Sequence, residues 1–221
     1  SGGVLSIMNA GMGNIGAPDM IDDFKTGASL IVWVNLAFVM GTTVPLLPLS
    51  RMSDVFGRKR LYLAGALVVP VGLTLSAISQ DLFQLIAART ATGIGSAMIL
   101  ANDNALVTQT FPASERGKAQ GMMNMAFGLG IGLSFFLGGV LVDIFDWRAL
   151  FWARIPAQLL LVFAIWRFVR SDSKDPSRDT TGYSVDFAGV LLLAVVMVGS
   201  LLAINQAGRL GLSSALVIVI I

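Results

Sequence analysis

The 221-residue chain has no cysteine and no histidine, and only 13% of its residues are charged. Without cysteine there is neither a disulfide framework nor a thiolate metal site, and without histidine the commonest metal ligand and acid–base residue is missing. We therefore predict no metal site, no cofactor and no enzyme activity. The formal net charge of +2 is too small to indicate a nucleic-acid partner.

Apolar sequence is what the chain has in abundance: 55% of its residues are hydrophobic and its mean hydropathy is +0.79. Seven apolar segments, most of them near the ~20 residues that span a bilayer, lie at 2–18, 29–49, 61–79, 83–111, 122–141, 150–166 and 187–207. An eighth begins near Leu212 and runs to the last residue. The pattern predicts an all-α, multi-pass protein embedded in a lipid bilayer. Because the chain starts without Met and stops inside an apolar run, we expect it to be a fragment that lacks an N-terminal tail and a large C-terminal part, the other half of the protein.

The basic residues are distributed unevenly among the connections between these segments. Ten Lys and Arg residues follow the second, fourth and sixth segments, and three follow the odd-numbered ones. Cytoplasmic loops of membrane proteins are enriched in Lys and Arg. We therefore expect the even-numbered loops to lie in the cytoplasm and the protein to lie in the cell (inner) membrane.

The connection after the second segment reads SRMSDVFGRKR. Asp54 and Arg58 are four residues apart, a spacing that allows an ion pair on a helical turn. Gly57 permits a tight reversal that brings Arg58, Lys59 and Arg60 against the membrane surface. The pattern resembles the cytoplasmic signature of the major facilitator superfamily, Gly-x-Leu-Ala-Asp-Arg-x-Gly-Arg-Arg/Lys, which implies a gate at this end of the protein. The alternative is a loop that only sets the topology.

Other stretches at matching intervals extend the resemblance. LIAARTATGIGSA and FPASERGKAQG resemble the fourth helix of the family and the loop after it, and DWRALFWARIP resembles the sixth helix of the fourteen-helix drug:proton antiporter branch. The resemblance covers nearly the whole chain. It implies a six-helix N-terminal bundle over 1–170, a cytoplasmic linker over 171–186, and one complete and one truncated extra helix over 187–221.

The first and fifth segments depart from the pattern of this branch. In the first, Asn14 and Pro18 fall on family positions, but Asn9 stands where the family usually has a membrane-embedded Asp. An Asn cannot carry a proton. In the fifth, the family's glycine motif keeps Gly130, Gly138 and Gly139, whereas Ser134 and Phe135 replace its Gly-Pro step. Since this motif is associated with antiport, uptake stays open as an alternative to export.

A polar cluster, Asn102-Asp103-Asn104, interrupts the fourth apolar segment fourteen residues after Arg89. On a helix that spacing is about 40° short of four turns, so Arg89 and Asp103 project from nearly the same face, about 21 Å apart. Asp103 can therefore be the titratable group that Asn9 is not, with Asn102 and Asn104 as hydrogen-bond partners and Arg89 shaping the electrostatics of a central cavity. The other interpretation is a static polar network that reaches water.

Two more predictions concern single features of the fifth and sixth segments. Arg154 lies near the outer end of the sixth segment, where we expect its long side chain to snorkel to the headgroups. Gly128 and Gly132 in the fifth segment have a G-x-x-x-G spacing that lets helices approach closely.

Together these observations predict a secondary active transporter of small organic solutes that works by alternating access. Proton-coupled export of amphiphilic or toxic compounds is the favoured activity, with protons and the small-molecule solute as partners. An uptake permease of the same fold, or a membrane scaffold or sensor that transports nothing, are the alternatives.

Overall fold

The structure is a computed structural model that describes residues 2–110, 112, 114–168, 189, 192, 195, 196, 199 and 200. Helices account for the regular structure of this part of the chain. Along residues 2–168 they are α1 Gly2–Ile15, α2 Ala17–Phe24, α3 Ala28–Thr43, α4 Leu46–Phe56, α5 Arg58–Ala77, α6 Leu82–Thr110, α7 Arg116–Ile144, α8 Ala149–Trp152 and α9 Ile155–Phe168.

These helices form the six apolar segments that the sequence predicts up to residue 168. The first segment is α1 with the start of α2, the second α3 with the start of α4, the sixth α8 with α9, and the others are single helices. Among the described residues, four helical stretches are long and apolar enough to span a membrane, at Arg58–Ala77, Leu82–Asp103, Arg116–Ile144 and Ala149–Arg167. The bent pair Ala28–Thr43 and Leu46–Phe56 passes the same test of length and hydropathy when its two helices are counted as one span. The fold is thus an all-α bundle of a membrane protein.

Proline sets two of the breaks within segments. Pro45 lies between α3 and α4, which meet at 40°, because proline has no N–H for the carbonyl four residues earlier and its ring clashes with that carbonyl. Pro18 lies in the first turn of α2, where the N–H that proline lacks has no helical partner in any case.

The connections after the first and second predicted segments are helical over much of their length. PDMIDDFK forms most of α2, and SRMSDVF forms the end of α4, which stops only at Gly57. In α2, Asp19 in the first turn favours the helix because a carboxylate there faces the positive end of the helix dipole. At Gly57 the backbone has φ 97°, which only glycine adopts without strain, so the predicted reversal is where the structure turns.

The central helix of the bundle is α6, which packs between α3 and α5 through glycines. A Cβ on Gly93 would lie 2.5 Å from the carbonyl oxygen of Phe38 and 3.0 Å from Cα of Gly41 on α3. A Cβ on Gly65 of α5 would lie 2.6 Å from the carbonyl oxygen of Gly95. Gly93 and Gly95 of the fourth segment therefore let the backbones of α3 and α5 contact α6, one on each side.

Buried side chains of α2, α3, α5, α6, α8 and α9 form the main core. Its largest fully buried member is Trp147, which contacts Phe24 and Phe151 at ring-centroid distances of 5.4 and 6.0 Å. Trp147 Nε1 also donates to Asp23 Oδ2 at 3.1 Å, and Arg148 forms an ion pair with the same oxygen at 2.8 Å. This cluster marks one end of the bundle, the Trp147 end; the turn at Gly57 marks the other, the Gly57 end.

The chain divides into two compact units, Ser1–Tyr183 and Ser184–Ile221. Of the second unit, six residues are described, and all six are helical. The predicted linker over 171–186 and most of the predicted extra helices over 187–221 lie outside the described residues. The domain limits at 170 and 186 remain predictions.

Candidate functional site

Asp103 lies in the bundle interior near the Gly57 end and is only 4% exposed. Its Oδ1 accepts a hydrogen bond from the Tyr62 hydroxyl on α5 at 2.9 Å, and its Oδ2 accepts one from the Gly3 backbone N–H on α1 at 2.8 Å. The Tyr62 hydroxyl accepts in turn from the N–H of Gly2 at 2.9 Å. One carboxylate thus joins α1, α5 and α6, and it does so without reaching water.

Asn102 does not provide the hydrogen bond to Asp103 that the sequence suggested. Asn102 is fully buried, but its Nδ2 donates to the carbonyl of Met98 within α6 at 2.9 Å, and its Oδ1 has no hydrogen-bond partner in the described part of the chain. The side chains of Asn104 and Asn14 lie outside the described residues. The partners of Asp103 come from other helices because a helix holds adjacent side chains about 100° apart.

Arg89 is 1% exposed and points toward the same helix, α1, as Asp103 does. Its Nη2 donates to the carbonyl oxygen of Asn9 at 3.0 Å, and its guanidinium carbon lies 4.6 Å from the ring centroid of Phe38 and 5.8 Å from that of Phe151. The helical spacing predicted a common face for Arg89 and Asp103, and both contact α1 from α6.

The prediction that Arg154 snorkels to the headgroups is wrong. Arg154 is 7% exposed, its Nη1 donates to Oδ1 of Asn9 at 2.5 Å, and its Nη2 donates to the carbonyl of Met8. The side chain turns inward because the break between α8 and α9 places residue 154 next to α1, whose amide and carbonyl oxygens satisfy part of the guanidinium. Asn9, itself 1% exposed, is therefore the meeting point of two arginines.

The charged motif around Gly57 lies at the surface of the Gly57 end. Arg58 Nη2 and Asp54 Oδ1 form the predicted ion pair at 2.9 Å, and Arg58 Nε donates to the same oxygen at 3.2 Å. Both side chains are partly exposed, at 19% and 36%. Lys59 and Arg60 follow in the first turn of α5 and, with the turn at Gly57, complete the motif.

The glycine motif of the fifth segment lies on α7, where one narrow face packs against α1. Gly130, Ser134 and Gly138 are buried on that face, and a Cβ on Gly130 would lie 2.7 Å from Val4 Cγ1. Phe135 is 49% exposed. A Cβ added to Gly128, Gly132 or Gly139 would meet no atom within 4 Å among the described residues, so Gly128 and Gly132 do not provide the close packing predicted for them within this unit.

Two residues that the sequence did not single out contact the site, Tyr62 through Asp103 and Phe38 through Arg89. A third, Gln158, is buried close to Arg154 in the sequence. Tyr62 is 4% exposed and Gln158 2% exposed. Gln158 lies one helical turn beyond Arg154 on α9, hence on the same face. The sequence did contain a signal for Gln158, which is a polar residue four positions after Arg154 in an otherwise apolar helix. It contains none for Tyr62, which cannot be distinguished from a tyrosine at the membrane interface.

Comparison with known proteins gives relatives that are membrane transporters. The riboflavin transporter RibZ of Clostridioides difficile (strain 630) is 31% identical over 205 residues, which are 93% of this chain and 44% of that protein. Multidrug resistance protein 3 of Bacillus subtilis (strain 168) is 29% identical over 204 residues, 92% of this chain and 38% of that protein. The chain thus spans less than half the length of these relatives.

A solved structure shares the fold. A bacterial homologue of the human lysosomal transporter Spinster, in an inward-facing and occupied conformation, superposes with a TM-score of 0.68 over 91% of this chain and 58% of that chain, at 17% identity. The sequence profile of the Major Facilitator Superfamily matches residues 1–220. With the helical bundle and the charged motif at Gly57, this match over nearly the whole chain shows that the protein belongs to the Major Facilitator Superfamily.

Proposed function

We propose that this chain is the N-terminal part of a secondary active transporter that exports small organic, amphiphilic or toxic compounds in exchange for protons. Membership of a transporter family and relatives named as multidrug resistance proteins support transport. The observation that carries the proton-coupled mechanism is the buried Asp103 and its bonds to two other segments.

Proton binding by Asp103 changes its hydrogen bonds. An ionised carboxylate accepts charge-assisted hydrogen bonds at both oxygens, whereas a protonated one accepts more weakly, above all at its hydroxyl oxygen, and carries an O–H that needs an acceptor of its own. Those bonds come from Gly3 on α1 and Tyr62 on α5. Protonation therefore loosens the link between three helices at the Gly57 end, and closure of that link releases the proton.

Alternating access needs a partner for this bundle. The relatives are more than twice as long as their matched part, which supports a second bundle beyond residue 221 that moves against the first around a site between them. In this mechanism the Asp54–Arg58 pair at the Gly57 end is part of a cytoplasmic gate, and the even-numbered loops face the cytoplasm of a cell whose inner membrane holds the protein.

The test is transport by the complete protein in proteoliposomes. With an imposed pH gradient, we expect a fluorescent amphiphile to move against the direction of proton flow, and the movement to stop when an uncoupler collapses the gradient. Asp103→Asn keeps the size and most hydrogen bonds of the side chain but cannot bind a proton. We expect it to abolish gradient-driven transport while equilibrium binding of the amphiphile persists.

The matched control is Asp81→Asn, which makes the same chemical change just before α6. Asp81 is exposed and caps the N–H of Gln84 at 2.8 Å, a role that Asn fills equally well. We expect this control to transport as the wild type does. If the Asp103→Asn variant still shows gradient-driven transport, Asp103 is not the group that carries the proton. If the wild type moves the amphiphile in the same direction as the protons, the protein is an uptake permease instead.

A further inference from the structure

Arg89 and Arg154 converge on one residue from two different helices. Arg89 Nη2 bonds the carbonyl oxygen of Asn9 and Arg154 Nη1 bonds its side-chain oxygen, and the charge of Arg89 acts on Arg154. Both guanidiniums are more than nine-tenths buried. A guanidinium keeps its charge in proteins, so two positive charges lie close together away from water.

No carboxylate among the described residues neutralises them. The ion pairs in that part of the chain are Asp54–Arg58 and Asp23–Arg148. Asp103 accepts from Tyr62 and Gly3 and lies about 21 Å along α6 from Arg89. The arginines bond neutral oxygens only, which offset little of the cost of burying two charges.

Several N–H groups at this place meet no acceptor in the described part of the molecule. They are Nε and Nη1 of Arg89, Nε of Arg154 and Nε2 of Gln158. Gln158 is 2% exposed and lies one turn beyond Arg154 on α9. A buried donor without an acceptor destabilises the folded protein, because it has lost its hydrogen bond to water. All the unsatisfied atoms of these three side chains are donors, so an acceptor would satisfy them, and a negatively charged acceptor would also offset the two buried positive charges.

We propose that Arg89, Arg154 and Gln158 bind the carboxylate, or an equivalent oxyanion, of a transported organic anion. The inference rests on the proposed transport function and deepens it by naming the solute class. A charged acceptor gains more from these donors than a neutral one, because hydrogen bonds between ionised groups are roughly twice as strong as neutral ones. Phe38 and Phe151, which lie beside Arg89, suit a solute with an apolar body next to its anionic group.

The experiment compares two fluorescent probes that differ only in charge, dansylglycine with its carboxylate and dansylglycinamide without it. Equilibrium binding to the complete, purified protein is measured by dansyl fluorescence. We expect the wild type to bind the carboxylate at least tenfold more tightly than the amide. Equal affinities would overturn the inference and would point to a carboxylate elsewhere in the protein as the partner of the arginines.

Two variants distinguish a binding role from a structural one. Arg154→Asn removes one charge and should reduce the preference for the carboxylate at least tenfold. Asn9→Asp supplies a carboxylate between the two arginines, so it should raise the melting temperature and abolish the preference. A purely structural pair would give the higher melting temperature with the preference unchanged, and that result contradicts the proposal. Arg51→Gln, at an exposed position on α4, is the control and should bind both probes as the wild type does.

The outcome separates this inference from the proposed function. If the wild type transports dansylglycinamide in proteoliposomes but binds the two probes equally, the result supports the transport function and contradicts the anion site. If the wild type binds dansylglycine selectively but transports neither probe, the result supports the anion site and contradicts the proposed transport function.

Discussion

Tyr62 is a residue whose single hydroxyl serves two helices. It donates to Asp103 at 2.9 Å and accepts from the N–H of Gly2 at 2.9 Å. There is no room for a larger group on the partner helix, since a Cβ on Gly2 would lie 2.5 Å from the Tyr62 oxygen. The hydroxyl is thus needed to satisfy an acid and an amide that are both buried.

Tyr62→Phe should therefore destabilise the protein although it keeps the ring. The change leaves Asp103 Oδ1 and the Gly2 N–H without partners, at a cost of about 1–3 kcal/mol. Thermal unfolding in detergent measures it. Thr43→Val is the control, because the Thr43 hydroxyl is exposed and bonds only the carbonyl of Val39 in its own helix; we expect a change below about 0.5 kcal/mol. Equal stability of Tyr62→Phe and wild type would show that water can replace the hydroxyl.

Some of these residue contacts followed from the sequence and some did not. The pairing of Asp54 with Arg58 and the common face of Arg89 and Asp103 depend on spacing within one helix, which the sequence contains. The inward turn of Arg154 and the bond from Tyr62 depend on which helices become neighbours, and spacing along one chain does not contain that information.

Helix α6 is the element that organises the bundle, because glycines allow two other helices to pack directly on its backbone. Gly93 meets α3 and Gly95 meets α5. Close packing of this kind holds helices together in membranes, where lipid chains remove most of the hydrophobic driving force. The sequence predicted α6 to within one residue at each end, since its apolar run has no internal proline.

Gly93→Ala should disrupt this packing. The new methyl group would lie 2.5 Å from the carbonyl oxygen of Phe38 and 3.0 Å from Gly41, and two backbones cannot yield as a flexible side chain can. We expect a loss of about 1–3 kcal/mol, visible as a lower melting temperature. Gly117→Ala, in the first turn of α7 with no atom within 4 Å, should leave the melting temperature unchanged or raise it slightly. Similar losses in the two variants would indicate helix propensity, not contact, as the cause.

At the scale of the whole molecule, the bundle has many exposed apolar residues on α7 and α9, including Leu129, Phe136, Leu160 and Trp166. Such surfaces suit contact with lipid or with another protein surface. Length and hydropathy predicted the segments, but they missed α2 and the end of α4, because charged helices at a membrane surface have the composition of loops.

The topology can be measured directly because the chain has no cysteine. Gln80 and Ser114 are both exposed and lie in connections at opposite ends of α6. If the even-numbered loops are cytoplasmic, Gln80→Cys should react with a membrane-impermeant maleimide in intact cells. Ser114→Cys should react only after the cells are opened. The reverse pattern would invert the orientation, and labelling of both in intact cells would contradict a single topology.

Side-chain contacts link different helices at both ends of the bundle. At the Trp147 end, Asp23 of α2 holds Trp147 and Arg148, and Arg148 also reaches the carbonyl of Ser79 after α5. At the Gly57 end, Asp103 joins α6 to α1 and α5. Helices that are linked at both ends of a bundle resist sliding past one another, so the bundle moves as a rigid body. In the proposed mechanism, protonation of Asp103 releases the contacts at the Gly57 end, and the helices pivot about the contacts that remain at the Trp147 end, so the displacement of each helix grows with distance from Trp147.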